Sequence, residues 1–347
     1  MTDNKDPHSP CVRADAQSEM DSKTKPQGSL GLIESIAVQI ASIQQTCRPS
    51  VDPARIIIFA GDHGVTVEGV SAFPAEVTQQ MMANFAAGGA AVCVIADSAG
   101  ACFEAIDVGV NGDISHLSGV VHAKVAHGTA NLATQAAMTH EQLDAALQVG
   151  REAIVRAVND KIRCVGLGEM GIGNTTSAAV LTGLLCDVAP VAVTGRGTGL
   201  DKDQLSAKQV IVASAMSRLV SITDDPMECL REAGGLEIAA IVGAMLEAPA
   251  HKMTVIVDGF IVTAAALIAC SLKPAVRDVL VFAHESAEPG HAIAVQTLQA
   301  EPLLNLNMRL GEGSATALAL PLLRAAVAVL NDMASFADAG VSMQNEP

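Results

Sequence analysis

Six near-continuous apolar runs constrain this chain more than any other feature: ARIIIFA from residue 54, then 104–110, 162–167, 190–194, 253–258 and 278–283. Most are separated by alanine-rich stretches of helical length, such as 78–100, 140–159 and 175–185. Unbroken Val and Ile runs suit strands that are covered on both faces, whereas a half-exposed strand alternates. Strands in turn with helices predict an α/β fold built on a doubly wound parallel sheet. The segment after Leu30 places Leu32, Ile36, Val38, Ile40 and Ile43 at helical spacing. The stretch 315–336 reads as a last helix without a partner strand, which pairs the two chain ends into a small helical subdomain.

Composition narrows the partners. Half of the 347 residues are hydrophobic and 17% are charged, a globular balance with a core of Ala, Val, Ile, Leu and Met. Trp and Tyr are absent and Phe occurs seven times, which argues against stacking platforms for single-stranded nucleic acid. The formal charge of −16 opposes binding to a duplex. A small anion needs only a few backbone amides and one Lys, so it stays open. The eight cysteines (Cys11, Cys47, Cys93, Cys102, Cys164, Cys186, Cys229 and Cys270) form no CxxC pair and read as reduced core residues of a cytoplasmic protein. Residues 1–25 are polar, contain no signal-peptide run and read as a disordered tail. The apolar runs 260–272 and 315–330 are respectively too short for a membrane span and interrupted by Pro321 and Arg324.

In a parallel sheet the ligand site lies beyond the carboxyl ends of the strands. Glycine and polar residues cluster there: Gly61, Asp62, His63 and Gly64 after the first run, Asp258 and Gly259 after the fifth, and His284, Glu285 and Ser286 after the last. Gly166, Gly168 and Gly171 spell a literal GxGxxG, with Asp187 downstream. The dinucleotide fingerprint needs its acidic residue at the end of the next strand, and Asp187 precedes the 190–194 run. A better reading is that Gly173, Asn174, Thr175 and Thr176 open a helix whose amides face a phosphate; the alternative is a plain N-cap. Gly195 and Gly197 offer further close-approach amides, with Lys208 in the following helix as either a counter-charge or a solvated surface group.

No metal is expected. The stretch from His284 to His291 has Glu288 where HExxH requires its second His, and Pro289 follows at once. Glu312, flanked by Gly311 and Gly313 and followed by an apolar helix, is a candidate proton acceptor with a raised pKa, or else a helix N-terminal acid answering the dipole. Glu169 is a second carboxylate of the same kind.

Lys25-Pro-Gln-Gly-Ser-Leu-Gly, GDHGV with EGVSAFPAEVTQQM, GEMGIGNTTSAA, VDGF, HESAEPGH and RLGEGSATALALPLLRAA follow one another over residues 25–340. In this order the chain resembles the nicotinate-nucleotide:dimethylbenzimidazole phosphoribosyltransferases. The resemblance implies transfer of 5-phosphoribose from nicotinate mononucleotide to 5,6-dimethylbenzimidazole during assembly of the cobalamin lower ligand, without a cofactor. It also implies a cytoplasmic homodimer with a Rossmann-like large domain (51–299) and a small helical domain from both ends (26–50 and 300–347). By motif position Glu312 corresponds to the general base and Glu169 to a second active-site carboxylate. Gly173, Asn174, Thr175, Thr176, Gly195, Gly197, Lys208, Asp258 and Ser286 fall around the nucleotide, with Asp258 at the floor of its site. Phe73, Met81, Met170 and Leu310 fall in the base pocket.

Two departures bear on specificity. Ala315 follows Ser314 where the family commonly has Gly, and Phe73 and Met81 stand where members can carry polar residues. An apolar pocket distinguishes methyl groups by only about 1–3 kcal/mol each, so other benzimidazoles, adenine or phenols are alternative acceptors. From another class, a catalytically silent nucleotide-binding protein is the competing reading; retention of both Glu169 and Glu312 argues against it.

Overall fold

A computed structural model describes residues 13–342. Strands β1 (Ala54–Gly61), β2 (Cys102–Gly109), β3 (Val120–His122), β4 (Cys164–Met170), β5 (Thr254–Val257) and β6 (Leu280–Phe282) form one sheet in the order β3-β2-β1-β4-β5-β6. Every neighbouring pair is parallel. The helices are α1 (Arg13–Asp21), α2 (Leu32–Gln44), α3 (Glu76–Ala86), α4 (Ala91–Ser98), α5 (His140–Asn159), α6 (Asn174–Leu185) and α7 (Pro190–Val193). They continue as α8 (Lys202–Leu219), α9 (Pro226–Ala233), α10 (Leu236–Glu247), α11 (Phe260–Leu272), α12 (Pro289–Thr297), α13 (Ser314–Asp332) and α14 (Phe336–Ala339).

The unbroken apolar runs follow from two-sided burial. Ile57, Phe59, Val165, Leu167, Val255 and Val257 pack into one cluster with α5, α6, α10 and α11. Their chain neighbours Ile56, Ile58, Ala60 and Ile256 point the other way, against α2, α3, α4 and α13. Strand order reverses between β1 and β4, whose registered ends are Ala60 and Met170. In a doubly wound sheet a crevice opens at such a point.

The chain ends do come together. Ala16 and Met20 of α1, Ile36, Val38 and Ile40 of α2, and Ala319, Leu320 and Leu323 of α13 share one core that also covers the sheet. The disordered-tail reading therefore fails for residues 13–25. Ala16 and Met20, one helical turn apart, form a narrow apolar stripe, while Lys23 pairs with Glu19 at 2.7 Å and buried Lys25 with Glu34 at 2.8 Å. Residues 1–12, including Cys11, lie outside the described residues.

Other expectations are corrected. The run 190–194 is not a strand: Pro190 opens the single helical turn α7, and the next strand after β4 is β5. The stretch 78–100 is two helices, parted around Gly88 and Gly89. Pro321 does not interrupt α13: the helix runs through it from Ser314 to Asp332, with the Pro321 ring on the exposed side. Arg324 leaves the same helix to pair with Asp52 at 2.7 Å. By length and hydropathy alone α13 and the stretch Glu76–Ser98 match a membrane span, but α13 is the core helix between α2 and the sheet. Among the described cysteines Cys164 and Cys229 are buried, Cys47, Cys93, Cys186 and Cys270 are partly buried and pack against the core, and Cys102 is exposed; all seven are free thiols.

Candidate active site

Beyond the carboxyl ends of β4, β5 and β6 lies a cavity of about 380 Å³. Glu169 and Met170 close β4 at its floor, 259–262 enter from β5, and His284, Ser286 and Glu288 from β6. The loop 309–312 and the α3 region with Phe73, Val77 and Met81 complete the wall. All four residues expected in a base pocket, Phe73, Met81, Met170 and Leu310, line it, and so do both carboxylates. Phe73 and Leu310 are half exposed, as befits the mouth of a pocket.

The GxGxxG glycines serve packing. A Cβ on Gly168 would stand 2.4 Å from the Gly313 amide nitrogen, and one on Gly166 would stand 2.4 Å from Thr316 Oγ1. Only bare backbone on β4 lets the start of α13 dock there, which brings the Glu312 loop over the strand end. Gly311, Glu312 and Gly313 all have positive φ, at 81°, 59° and 71°. For Glu312 this is a costly conformation, one that persists only when neighbours impose it.

The two carboxylates meet at this loop. A Cβ on Gly311 would lie 2.5 Å from Glu169 Oε1, so Glu169 sits directly beneath the turn. Burial, with the charges of Asp258, Glu237 and Glu312 added, pushes Glu169 up to about 8. Burial and Asp258 bring Glu312 up to about 7. A carboxylate poised there is a competent proton acceptor near neutrality.

The Asn174 side-chain amide donates to Glu169 Oε2, while its backbone stands at the start of α6. Gly173 caps α6 with φ 97°, and Asn174 and Thr175 line the cavity. Thr176 is fully buried and does not line the cavity. Lys208, expected either as counter-charge or as surface group, is 1% exposed and donates to Thr175 Oγ1 at 2.7 Å. Burial lowers it to about 8, with Glu288 opposing the shift. Gly197 stands close by: a Cβ there would be 3.3 Å from Lys208 Nζ, and its amide donates to Glu288 Oε1 at 3.0 Å. Gly195 packs on the same Glu288 carboxylate, outside the cavity lining.

Glu288 and His291 are what motif reading missed, because each acts through contacts distant in sequence or hidden in the turn. The Ser286 amide donates to His291 Nδ1 at 3.0 Å, while His291 Nε2 lies 3.2 Å from Thr263 Oγ1. Burial and neighbouring His284 lower His291 to about 4, so it is neutral and fixes the Ser286 turn. Asp62 and His63 are also buried, with His63 Nε2 2.6 Å from Glu237 Oε1. Among the described residues no group of three His, Cys, Asp or Glu side chains is arranged to hold a metal ion.

A family model described as a phosphoribosyltransferase matches residues 6–341. The nicotinate-nucleotide–dimethylbenzimidazole phosphoribosyltransferase of Aromatoleum aromaticum is 48% identical over 332 residues, 96% of each chain. Its namesake from Chromobacterium violaceum is 50% identical over 319 residues, 92% of each chain. The crystal structure of CobT from Thermus thermophilus superimposes with a TM-score of 0.92 at 44% identity, covering 96% of this chain and 99% of that one. With a matching fold and relatives at this identity over nearly its whole length, the chain belongs to the nicotinate-nucleotide:dimethylbenzimidazole phosphoribosyltransferase family.

Proposed function

We propose that this chain transfers the 5-phosphoribosyl group of nicotinate mononucleotide to 5,6-dimethylbenzimidazole, releasing nicotinate and forming α-ribazole 5′-phosphate for the cobalamin lower ligand. The observation that carries the reading is one cavity holding two carboxylates raised toward neutrality, Glu169 and Glu312, beside an apolar wall and a buried Lys208. One benzimidazole nitrogen attacks the anomeric carbon from the face opposite the pyridinium. The bond to the nicotinate nitrogen breaks with its electron pair returning to that ring, and the N–H proton of the attacking base goes to Glu312. A pyridinium is already a good leaving group, so the protein supplies proximity, proton removal and stabilisation of positive charge on the ribose. Glu169 beneath the loop is suited to that last task. Purified protein given both substrates should release nicotinate and form the α-riboside, as read by chromatography; no base-dependent release across a panel of bases from folded protein would contradict it.

Gly173, Thr175, Gly197, Lys208 and Ser286 form the nucleotide end in this reading, with Lys208 and Thr175 held together at 2.7 Å. Lys208→Met removes the buried cation. We expect kcat/KM for the nucleotide to fall about 10- to 100-fold, as loss of a hydrogen bond to a charged group implies, with most of the effect in KM. An unchanged KM in steady-state assays would place the phosphate elsewhere.

The apolar lining by Phe73, Val77, Met81 and Leu310 favours a second reading of the acceptor: other benzimidazoles, adenine or a phenol. Competition among bases at equal concentration separates these. A homodimer and a small helical domain from 26–50 and 300–347 are inferred from the family resemblance, and a cytoplasmic setting from the unpaired cysteines; α1 joins α2 and α13 in one core. Sedimentation velocity tests the first.

A further inference from the structure

Asp258 follows β5 and was expected at the floor of the nucleotide site, yet it does not line the cavity. Its carboxylate is 1% exposed and faces the other way along the loop: Oδ2 accepts the Gly313 amide at 3.0 Å and Oδ1 the Ala315 amide at 3.0 Å. The amides of Thr316 and Gly259 add favourable contacts to the same charge. The two hydrogen-bonded amides flank Ser314 and begin immediately after Glu312.

The run 311–313 has three successive residues at positive φ, closed by one turn bond from the Ser314 amide to the Gly311 carbonyl at 3.1 Å, so the strained backbone needs further anchoring from outside. Three restraints are visible. Gly168 supplies the bare surface on which Gly313 rests, Thr316 Oγ1 donates to the Gly313 carbonyl at 2.7 Å, and Asp258 anchors the amides on the far side. We infer that Asp258 is a positioning residue for Glu312: by receiving the Gly313 and Ala315 amides it locks the left-handed turn and so fixes where the Glu312 carboxylate stands in the cavity. The inference rests on Glu312 being the proton acceptor. A carboxylate suits this place because Asn would present one acceptor oxygen to two N–H groups and aim its own NH₂ at the other.

Asp258 also acts on Glu312 through space. The ionisable groups around Glu312 are Asp258 from β5, Glu169 from β4, Cys93 from α4, and Arg309, His284 and Glu288 in the same cavity wall. Among them Asp258 is the charge that, after burial, raises Glu312. Removing that charge lowers the proton affinity of Glu312, so the acid limb of the turnover profile moves to lower pH.

The test is Asp258→Asn, assayed at saturating substrates from pH 5 to 9, with nucleotide affinity measured by calorimetry. We expect kcat on the alkaline plateau to fall roughly 10- to 100-fold, the scale of a misplaced catalytic group, with nucleotide affinity within about threefold of wild type and the acid limb shifted downward. A purely structural role would not move the limb. Weakened nucleotide binding with an unmoved limb would overturn the inference and restore Asp258 to the nucleotide floor. Thr316→Val is the milder second arm: it loosens the same turn with Asp258 in place and should lower kcat several-fold with the limb unmoved. Unchanged kcat in Thr316→Val would equally overturn it. Glu312→Gln run in parallel separates the two readings. If that variant keeps the acid limb, the base assignment fails; if it loses the limb while Asp258→Asn keeps wild-type kcat, only the positioning role fails.

Discussion

Glu312→Gln should lower kcat roughly 100- to 10,000-fold, the range by which general bases contribute, while leaving nicotinate mononucleotide affinity near that of the wild type. The change keeps the volume and the left-handed backbone but cannot take a proton. Burial and Asp258 raise Glu312 to about 7 in the wild type, and the ionised form is the base. Turnover therefore rises with pH as Glu312 loses its proton and levels above that limb, which lies at or below about 7 once the pyridinium is bound, falling toward tenfold per unit on the acid side. That limb should vanish from the variant. The profile must be that of kcat at saturation, because the nucleotide phosphate itself titrates near pH 6 and would add to kcat/KM. Chromatographic measurement of nicotinate release from pH 5 to 9 checks both points; wild-type turnover in Glu312→Gln would remove it from the chemistry.

How much of this was legible in the sequence follows from which interactions are local. The runs around Ile56, Ile106, Val165, Val255 and Val281 declared strands, because burial on both faces leaves apolar residues at successive positions instead of alternate ones. Val191 and Val193 gave the same signal over four residues of a helical turn, too short for period to separate the two, with Pro190 at its first position the cue against a strand. Edge strand β3 spans three residues and carries no pattern at all. The glycines of β4 were visibly unusual, but their reason was a helix about 150 positions away, so a motif resembling a dinucleotide loop turned out to be a docking surface. The same distance hid Glu288, whose partner Gly197 lies 91 positions before it. Asn174 shows the limit within a motif: its place at a helix N-terminus suggested phosphate, and only the fold brought Glu169 to its side chain.

Glu169→Gln should make the unliganded protein more stable at alkaline pH and a poorer catalyst. Glu169 binds its proton with a pKa of about 8 in the folded chain, against an ordinary value of 4.5. The folded state therefore holds a proton that the unfolded chain releases. Stability from this group is fully present below about pH 4.5 and is lost as pH rises through about 8. Gln is neutral at every pH and lacks that loss, which is on the order of a few kcal/mol for a shift of this size. At pH 8.5 the variant should melt several degrees above wild type, at pH 5 near it. Some slope persists, since Asp258 and Glu312 are raised to about 6 and about 7 and act with the same sign. The substrate reverses the balance: its pyridinium favours the ionised carboxylate, so nucleotide binding should expel a proton from the wild type and not from Glu169→Gln. Calorimetry in buffers of different ionisation enthalpy counts that proton directly. Loss of the charge should lower kcat by roughly 100- to 1,000-fold, the scale of electrostatic stabilisation removed from a site of this kind. A variant with wild-type pH dependence of melting and the same proton release would mean that Glu169 is already ionised before substrate binds, in which case its neighbours Asn174 and the 311–313 turn, rather than a proton, hold its charge.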